Sequence, residues 1–247
     1  MASLDGPSKA RGFSRVWETL STAVVLVAAV AVTFVAIQQW RGSRMTVARR
    51  AGAIEPPIPT QPISLTGLPS LGSKSAPVVL MVFSDFQCPF CRAFAEDRLA
   101  ALRLDYIDRG RLRIVFRHWP LGMHANARPA ARVAICAADQ QKFWKMHDEL
   151  FANPNDLGPG GLTARAAAAG LDQGRLAACL VDPRTEATLT RDRVLGQQLQ
   201  LTSTPSSLVG LLDSAQRLDP RKWIIGAPDV TVFRTVLEAL SPAPNHR

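Results

Sequence analysis

Only four cysteines occur in 247 residues, and just two of them, Cys88 and Cys91, stand as a CxxC pair. A zinc ribbon needs a second such pair, but Cys136 and Cys179 stand alone and far apart. His118, His124 and His147 are scattered, and a lone histidine is more often a packing or capping residue than a ligand, so no metal is expected. Covalent haem attachment needs His directly after the second cysteine, and position 92 is Arg. There is no internal repeat and no low-complexity tract beyond Ala-rich segments. With hydrophobic residues at 47% and charged residues at 20%, the composition also lacks the bias of a disordered chain.

A basic stripe is missing as well. The net charge is +9, yet seven Lys/Arg against two acids fall in the first fifty residues, which leaves the remainder mildly basic and scattered. Nucleic acid is therefore not an expected partner. Charge is absent altogether from Leu20 to Ile37, within an uncharged run from Thr19 to Trp40. At about 1.5 Å per residue such a run spans a hydrocarbon core of about 30 Å. Trp17 and Trp40 bracket it, at positions suited to the water interfaces. A cleavable signal peptide would have a shorter apolar region ending in a small-x-small site, whereas this one ends in Ile-Gln-Gln-Trp-Arg. The expectation is an uncleaved transmembrane anchor over 20–40 behind a cytoplasmic tail, 1–19. Basic residues flank the anchor on both sides, so charge bias does not orient it.

Residues 41–70 form the expected linker; its part from Ala51 to Ser70 carries five prolines and reads as an extended, semi-stiff tether. Next, "PVVLMVF" (Pro77 to Phe83) is a continuous apolar run of the kind buried on both faces of a sheet. Beyond the CxxC, Phe94, Leu99, Leu102 and Ile107 recur among charges at roughly helical spacing. "RLRIVFRHWPL" restores a strand pattern, giving a βαβ unit with its cysteines where a strand feeds a helix. Helix formers then dominate from His124 to about Gln200, broken at Asn153 to Gly161 and at Asp182-Pro183. "PSSLVGLL", "WIIGAP" and "DVTVFRTVLEAL" read as two short strands and a closing helix capped by Asp229.

Residues at i and i+3 share a helix face, so the sulfurs of Cys88 and Cys91 can meet. A helix N-terminus offers unpaired N–H groups and a positive dipole end, which favour a thiolate at Cys88. Cys88 is then the nucleophile, exposed at the helix tip, and Cys91 the resolving partner tucked beneath it. Pro89 suits the first helical turn, where its missing N–H costs nothing. Pro89 and Phe90 form the dipeptide that tunes the pair, and neither side chain offers it a hydrogen bond or charge. A CxxC at such a strand-to-helix junction is a redox signal.

The stretch "FSDFQCPFCRAF" resembles the active-site segment of DsbA-like thioredoxin-fold disulfide oxidoreductases. "FRHWPL", "CAADQQKFWKMHDELF" and "TSTPSSLVG" are similar to that family too, and the likeness covers about residues 65–240. It implies an α/β thioredoxin fold over 71–240 with a helical insert at about 124–200, followed by a tail at 241–247. It also implies a cis peptide at Thr204-Pro205, with Thr204 and Pro205 binding an extended substrate chain beside the cysteines. Some members join cysteines placed like Cys136 and Cys179, which implies a structural disulfide here; the alternative is two small core residues. The sequence departs from the pattern at Val82, where a buried acid often stands, and at Ser203, where Gly is usual.

The implied activity is thiol–disulfide exchange on unfolded or thiol-containing extracytoplasmic proteins, introducing disulfides without a cofactor and coupled to a membrane redox partner. That partner is a quinone-linked oxidase or, if the protein is a reductase or isomerase, an electron donor. A non-catalytic, chaperone-like module that holds extended chains on Thr204-Pro205 is the alternative from another class.

Overall fold

A computed structural model describes residues 31–34 and 55–241 of the chain. The expected anchor at 20–40 lies outside the described residues apart from one helical turn at 31–34. No helix among the described residues is long and apolar enough to cross a membrane.

A six-stranded sheet organises the domain. In chain order its strands are β1 (Ile63–Ser64), β2 (Ser70–Leu71), β3 (Val78–Ser84), β4 (Leu112–His118), β5 (Ser206–Leu212) and β6 (Arg217–Ile225). They lie side by side as β1-β6-β5-β3-β4-β2. β3 is central, parallel to β4 and antiparallel to β5, and all seven of its residues are buried. That position explains its unbroken apolar run. Val78, Leu80 and Val82 face one core while Val79, Met81 and Phe83 face the other.

After β3 the chain enters a helical stretch that runs through α1 (Pro89–Ala93), a π-helical turn at Phe94–Arg98, α2 (Leu99–Leu102) and a second π-helical turn at Arg103–Ile107. The helical insert follows β4 as α3 (Ala127–Asp139), α4 (Phe143–Ala152), α5 (Pro159–Ala168), α6 (Gln173–Val181) and α7 (Pro183–Gln198); α8 (Val230–Leu240) closes the fold. The expected break at Asp182-Pro183 starts α7, with Asp182 accepting from the Arg184 N–H, and the expected cap Asp229 accepts from Thr231 at α8; Asp172 likewise accepts from the Arg175 N–H at the start of α6. A thioredoxin-like α/β sheet with an inserted helical subdomain is thus present.

Part of the stretch read as a tether runs along this sheet. Ile63–Ser64 pairs with β6 and Ser70–Leu71 with β4, while Trp223 Nε1 donates to the Pro57 carbonyl at 3.2 Å. The insert is tied to the sheet by a buried ion pair, Arg117 Nη1 to Asp192 Oδ1 at 2.7 Å, and Asp192 Oδ2 also accepts from the His118 N–H at 2.8 Å. Both carboxylate oxygens are occupied, so this buried charge is compensated.

Candidate active site

The strand end and the helix start are joined by a turn that the sequence Asp85-Phe86-Gln87-Cys88 builds itself. Asp85 Oδ1 accepts from the Gln87 N–H at 2.7 Å, and the Asp85 carbonyl accepts from the Cys88 N–H at 3.1 Å. Phe86 is buried and stacks on Phe116 with ring centroids 5.4 Å apart, which pins the turn to β4. Cys88 is the N-cap of α1, in extended geometry, and Pro89 opens the helix. No side chain caps this helix, so its first N–H groups are left facing the Cys88 sulfur.

Both cysteines are free thiols, with opposite proton affinities. Cys88 is lowered from 9.0 to about 5, chiefly by a hydrogen bond from the Cys91 thiol. Burial pushes the other way but is outweighed by that bond together with the N–H groups of Cys91 and Phe90. Cys91 is raised well above 9.0, first by burial and then by the hydrogen bond and charge of Cys88. The Asp85 N–H meets the Cys91 sulfur from below at 3.4 Å. This is the division between attacking and resolving thiol expected at a helix N-terminus.

One expectation needs correction. Cys88 is not exposed at the helix tip: only 5% of its surface remains accessible, and Cys91 has none. The cover comes from the distant loop. Thr204-Pro205 is a cis peptide, and the Thr204 carbonyl lies 3.5 Å from the Cys88 sulfur. Ser206 Oγ donates to the Ser203 carbonyl at 2.8 Å and the Gly226 N–H to the Pro205 carbonyl at 2.7 Å, which fixes the loop at the start of β5. Cys88, Pro89, Phe90, Cys91, Thr204 and Pro205 therefore share one place, with Phe90 projecting 64% exposed beside it. Val82 is simply core.

Cys136 and Cys179 are elsewhere, joined as a disulfide between α3 and α6. His147 and His118 pack among Phe86, Phe116 and Phe143. His118 is held down to about 4 by burial, and its Nδ1 has no partner. Among the described residues no group of His, Cys, Asp and Glu could hold a metal ion.

Sequence reasoning missed a pair that touches the site. The Asp85 side chain is fully buried, and its Oδ2 accepts from both the Leu121 N–H at 2.8 Å and His124 Nδ1 at 2.7 Å. His124 reaches the surface, with 17% of its side chain accessible. This carboxylate locks the loop after β4 to the strand end whose N–H holds the Cys91 sulfur.

A sheet that delivers a cysteine pair to a helix N-terminus beside a cis-proline loop defines the thioredoxin class. The family model described as Thioredoxin matches residues 65–219, and the chain belongs to that family. Over 139 residues it is 35% identical to the Na(+)/H(+) antiporter NhaA 3 of Salinispora tropica, covering 56% of this chain and 21% of that protein. The chain thus spans about a fifth of the length of that relative. It is 28% identical over 155 residues to disulfide bond formation protein D of Bacillus subtilis, covering 59% of this chain and 69% of that one. Among solved structures, oxidised BdbD of Bacillus subtilis superposes with a TM-score of 0.64 at 24% identity, over 74% of this chain and 97% of that one. Alpha-DsbA1 of Wolbachia pipientis gives 0.62 at 21%, over 72% and 92%. At these identities the two structures speak for the fold.

Proposed function

We propose that the protein is a thiol–disulfide oxidoreductase that introduces disulfides into polypeptides through Cys88 and Cys91. The observation that carries this is the pairing of a thiol lowered to about 5 with a neighbour raised well above 9.0. In the oxidised protein a substrate thiolate attacks the Cys88 sulfur and Cys91 leaves. A mixed disulfide forms on Cys88, and a second substrate thiol then displaces Cys88 as a thiolate, which its helix N-terminus stabilises. The balance is one substrate dithiol oxidised and one protein disulfide reduced to a dithiol. Thr204-Pro205 holds the substrate chain against Cys88. Disulfide bond formation protein D among the relatives supports this direction of electron flow.

A low Cys88 pKa favours the dithiol form of the protein and so makes its disulfide the stronger oxidant. Against a thioredoxin-like value of about 7, it raises the potential by ~50 mV at pH 7. The domain would work outside the cytoplasm, held by the uncharged run at 20–40, with a membrane redox partner reoxidising the pair. The uncharged run supports the anchor; protease protection of residues 51–247 in intact cells checks it, and cytoplasmic exposure would overturn it. For the activity, the protein is oxidised and mixed with a reduced, denatured disulfide protein. Wild type should restore the substrate's disulfides and Cys88→Ser should not, while reduced Cys91→Ser, mixed instead with a disulfide-containing protein, should accumulate a mixed disulfide on Cys88 as one substrate sulfur leaves as a thiol. A Cys88→Ser variant as effective as wild type would instead mark a chain-holding module.

A further inference from the structure

We propose that a cleft two residues along the chain from Thr204 is a subsite for an acidic side chain two or three residues from the reacting cysteine of an extended polypeptide substrate. This rests on Cys88 and Cys91 being an exchange pair.

The cleft, of about 420 Å³, opens between the loop after β4 and the C-terminal end of α7. Its walls include Trp119, Leu121, Arg193, Gln197, Gln200 and Thr202, with no carboxylate among the lining residues. Arg193 is its one charge. The other arginines of α7 are engaged, Arg184 with Asp182 and Arg191 with Thr188, but half-buried Arg193 has no hydrogen bond or ion pair among the described residues. A partly desolvated guanidinium with no partner favours an anionic, hydrogen-bond-accepting occupant.

Both walls are fastened to the redox turn. On one side the Trp119 N–H donates to the Ser84 carbonyl at 2.9 Å and the Leu121 N–H to Asp85 Oδ2 at 2.8 Å. On the other, α7 ends sharply at Gln200, whose φ of 56° is left-handed, and the Leu201 N–H closes on the Gly196 carbonyl at 3.0 Å. The chain then runs from Thr202 to Thr204, whose carbonyl touches the Cys88 sulfur. Two residues of extended chain reach about 7 Å. A substrate cysteine bonded to Cys88 has to lie across this loop, because Thr204 covers Cys88. Residues flanking that cysteine are thereby carried along Thr202 toward Arg193.

The test uses the oxidised protein and peptides that differ only at the positions two and three residues from a single cysteine, carrying Asp, Ser or Lys. The rate of thiol attack on the protein disulfide is read as a second-order rate constant in a single turnover. The Asp peptide should exceed the Lys peptide about fivefold at low salt, the scale of a half-buried charge pair, and the gap should narrow with salt. Arg193→Gln should bring the two together and Arg193→Glu should reverse their order, with the Ser peptide unchanged. Because the whole protein is basic, a control peptide carries its Asp eight residues from the cysteine. Arg193→Glu should leave that control at the rate of its Ser counterpart. Equal Asp and Lys rates in wild type, or an Asp preference untouched by Arg193→Glu, overturn the subsite while leaving exchange intact. If the Ser peptide is not oxidised at all, the exchange activity itself falls, and the subsite with it.

Discussion

At the residue scale the site divides its work between two sulfurs that differ in what surrounds them rather than in what they are. Cys88 has the Cys91 thiol and the N–H groups of Phe90 and Cys91 as donors and Cys91 has burial, so reduced protein should react with iodoacetamide at Cys88 first. Measured against pH, that reaction should follow a single ionisation with its midpoint near 5 rather than near 9.0. Cys88→Ser should abolish the fast phase. A midpoint above pH 8 would remove the basis for an attacking thiolate. Asp85 is the other residue to test, because one carboxylate accepts from Gln87, Leu121 and His124. Asp85→Asn keeps the shape but presents an NH₂ group where an acceptor is needed, which should lower the unfolding free energy by about 2 kcal/mol in denaturant titrations. The step in which Cys91 leaves on attack at Cys88 should also slow in this variant, since the N–H that meets the Cys91 sulfur belongs to residue 85.

At the scale of elements, the Cys136–Cys179 bridge joins α3 to α6 across a sequence separation of 43. Cys136→Ala with Cys179→Ala should cost about 2 to 4 kcal/mol by restoring freedom to that loop in the unfolded chain. Exchange activity should survive below the melting point, because the bridge is remote from Cys88; mass spectrometry of the unreduced protein checks that the bridge is present to begin with. Gly196 in α7 offers a sharper test of packing. A Cβ there would run into the Trp119 ring, so Gly196→Ala should lower the melting temperature and disturb the cleft by pushing that ring aside.

The elements with strong local signals were legible in the chain. The apolar run of β3, the CxxC after it, the break at Asp182-Pro183 and the cap at Asp229 all announce themselves within a few residues. Thr204-Pro205 was placed beside the cysteines by family likeness, since nothing local says which turn crosses 116 residues to meet Cys88. The Asp85–His124 pair was not legible at all. Its partners are 39 residues apart, and neither an Asp at a strand end nor a His in a loop carries a pattern. The cover on Cys88 was missed for the same reason: a helix tip looks open until a distant loop is laid across it. The two-residue strands were invisible because so short a segment has no period to read.

For the molecule as a whole, the pair makes stability depend on redox state and pH together. The folded-state value of Cys88, about 5, lies below its ordinary 9.0. Its thiolate therefore stabilises the reduced fold in full above pH 9, and the contribution is lost as pH falls through 5. Between those limits the unfolded chain binds the extra proton, so reduced protein should gain resistance to guanidinium as pH rises from 5 to 9. The oxidised form has no Cys88 thiol to titrate and should lack this gain. Parallel curves for the two forms would contradict the thiolate. Both forms should weaken below pH 6.5, as the unfolded chain protonates His118 while the folded one resists until about 4.

The short strands at the two ends of the sheet have a bearing on the company such a domain keeps. A protein that handles unfolded chains meets partners with free backbone groups, and an open sheet rim would let them zip on and stay. Here β6 and β4, the longer strands, are fronted by only Ile63–Ser64 and Ser70–Leu71, both drawn from the chain just ahead of the domain. Segments so brief offer little backbone for a stranger to grip. Clipping the chain between residues 57 and 72 should leave the redox pair working while turning the domain into a seed for co-aggregation with its own substrates, seen as light scattering that grows with unfolded substrate and is absent for the intact chain.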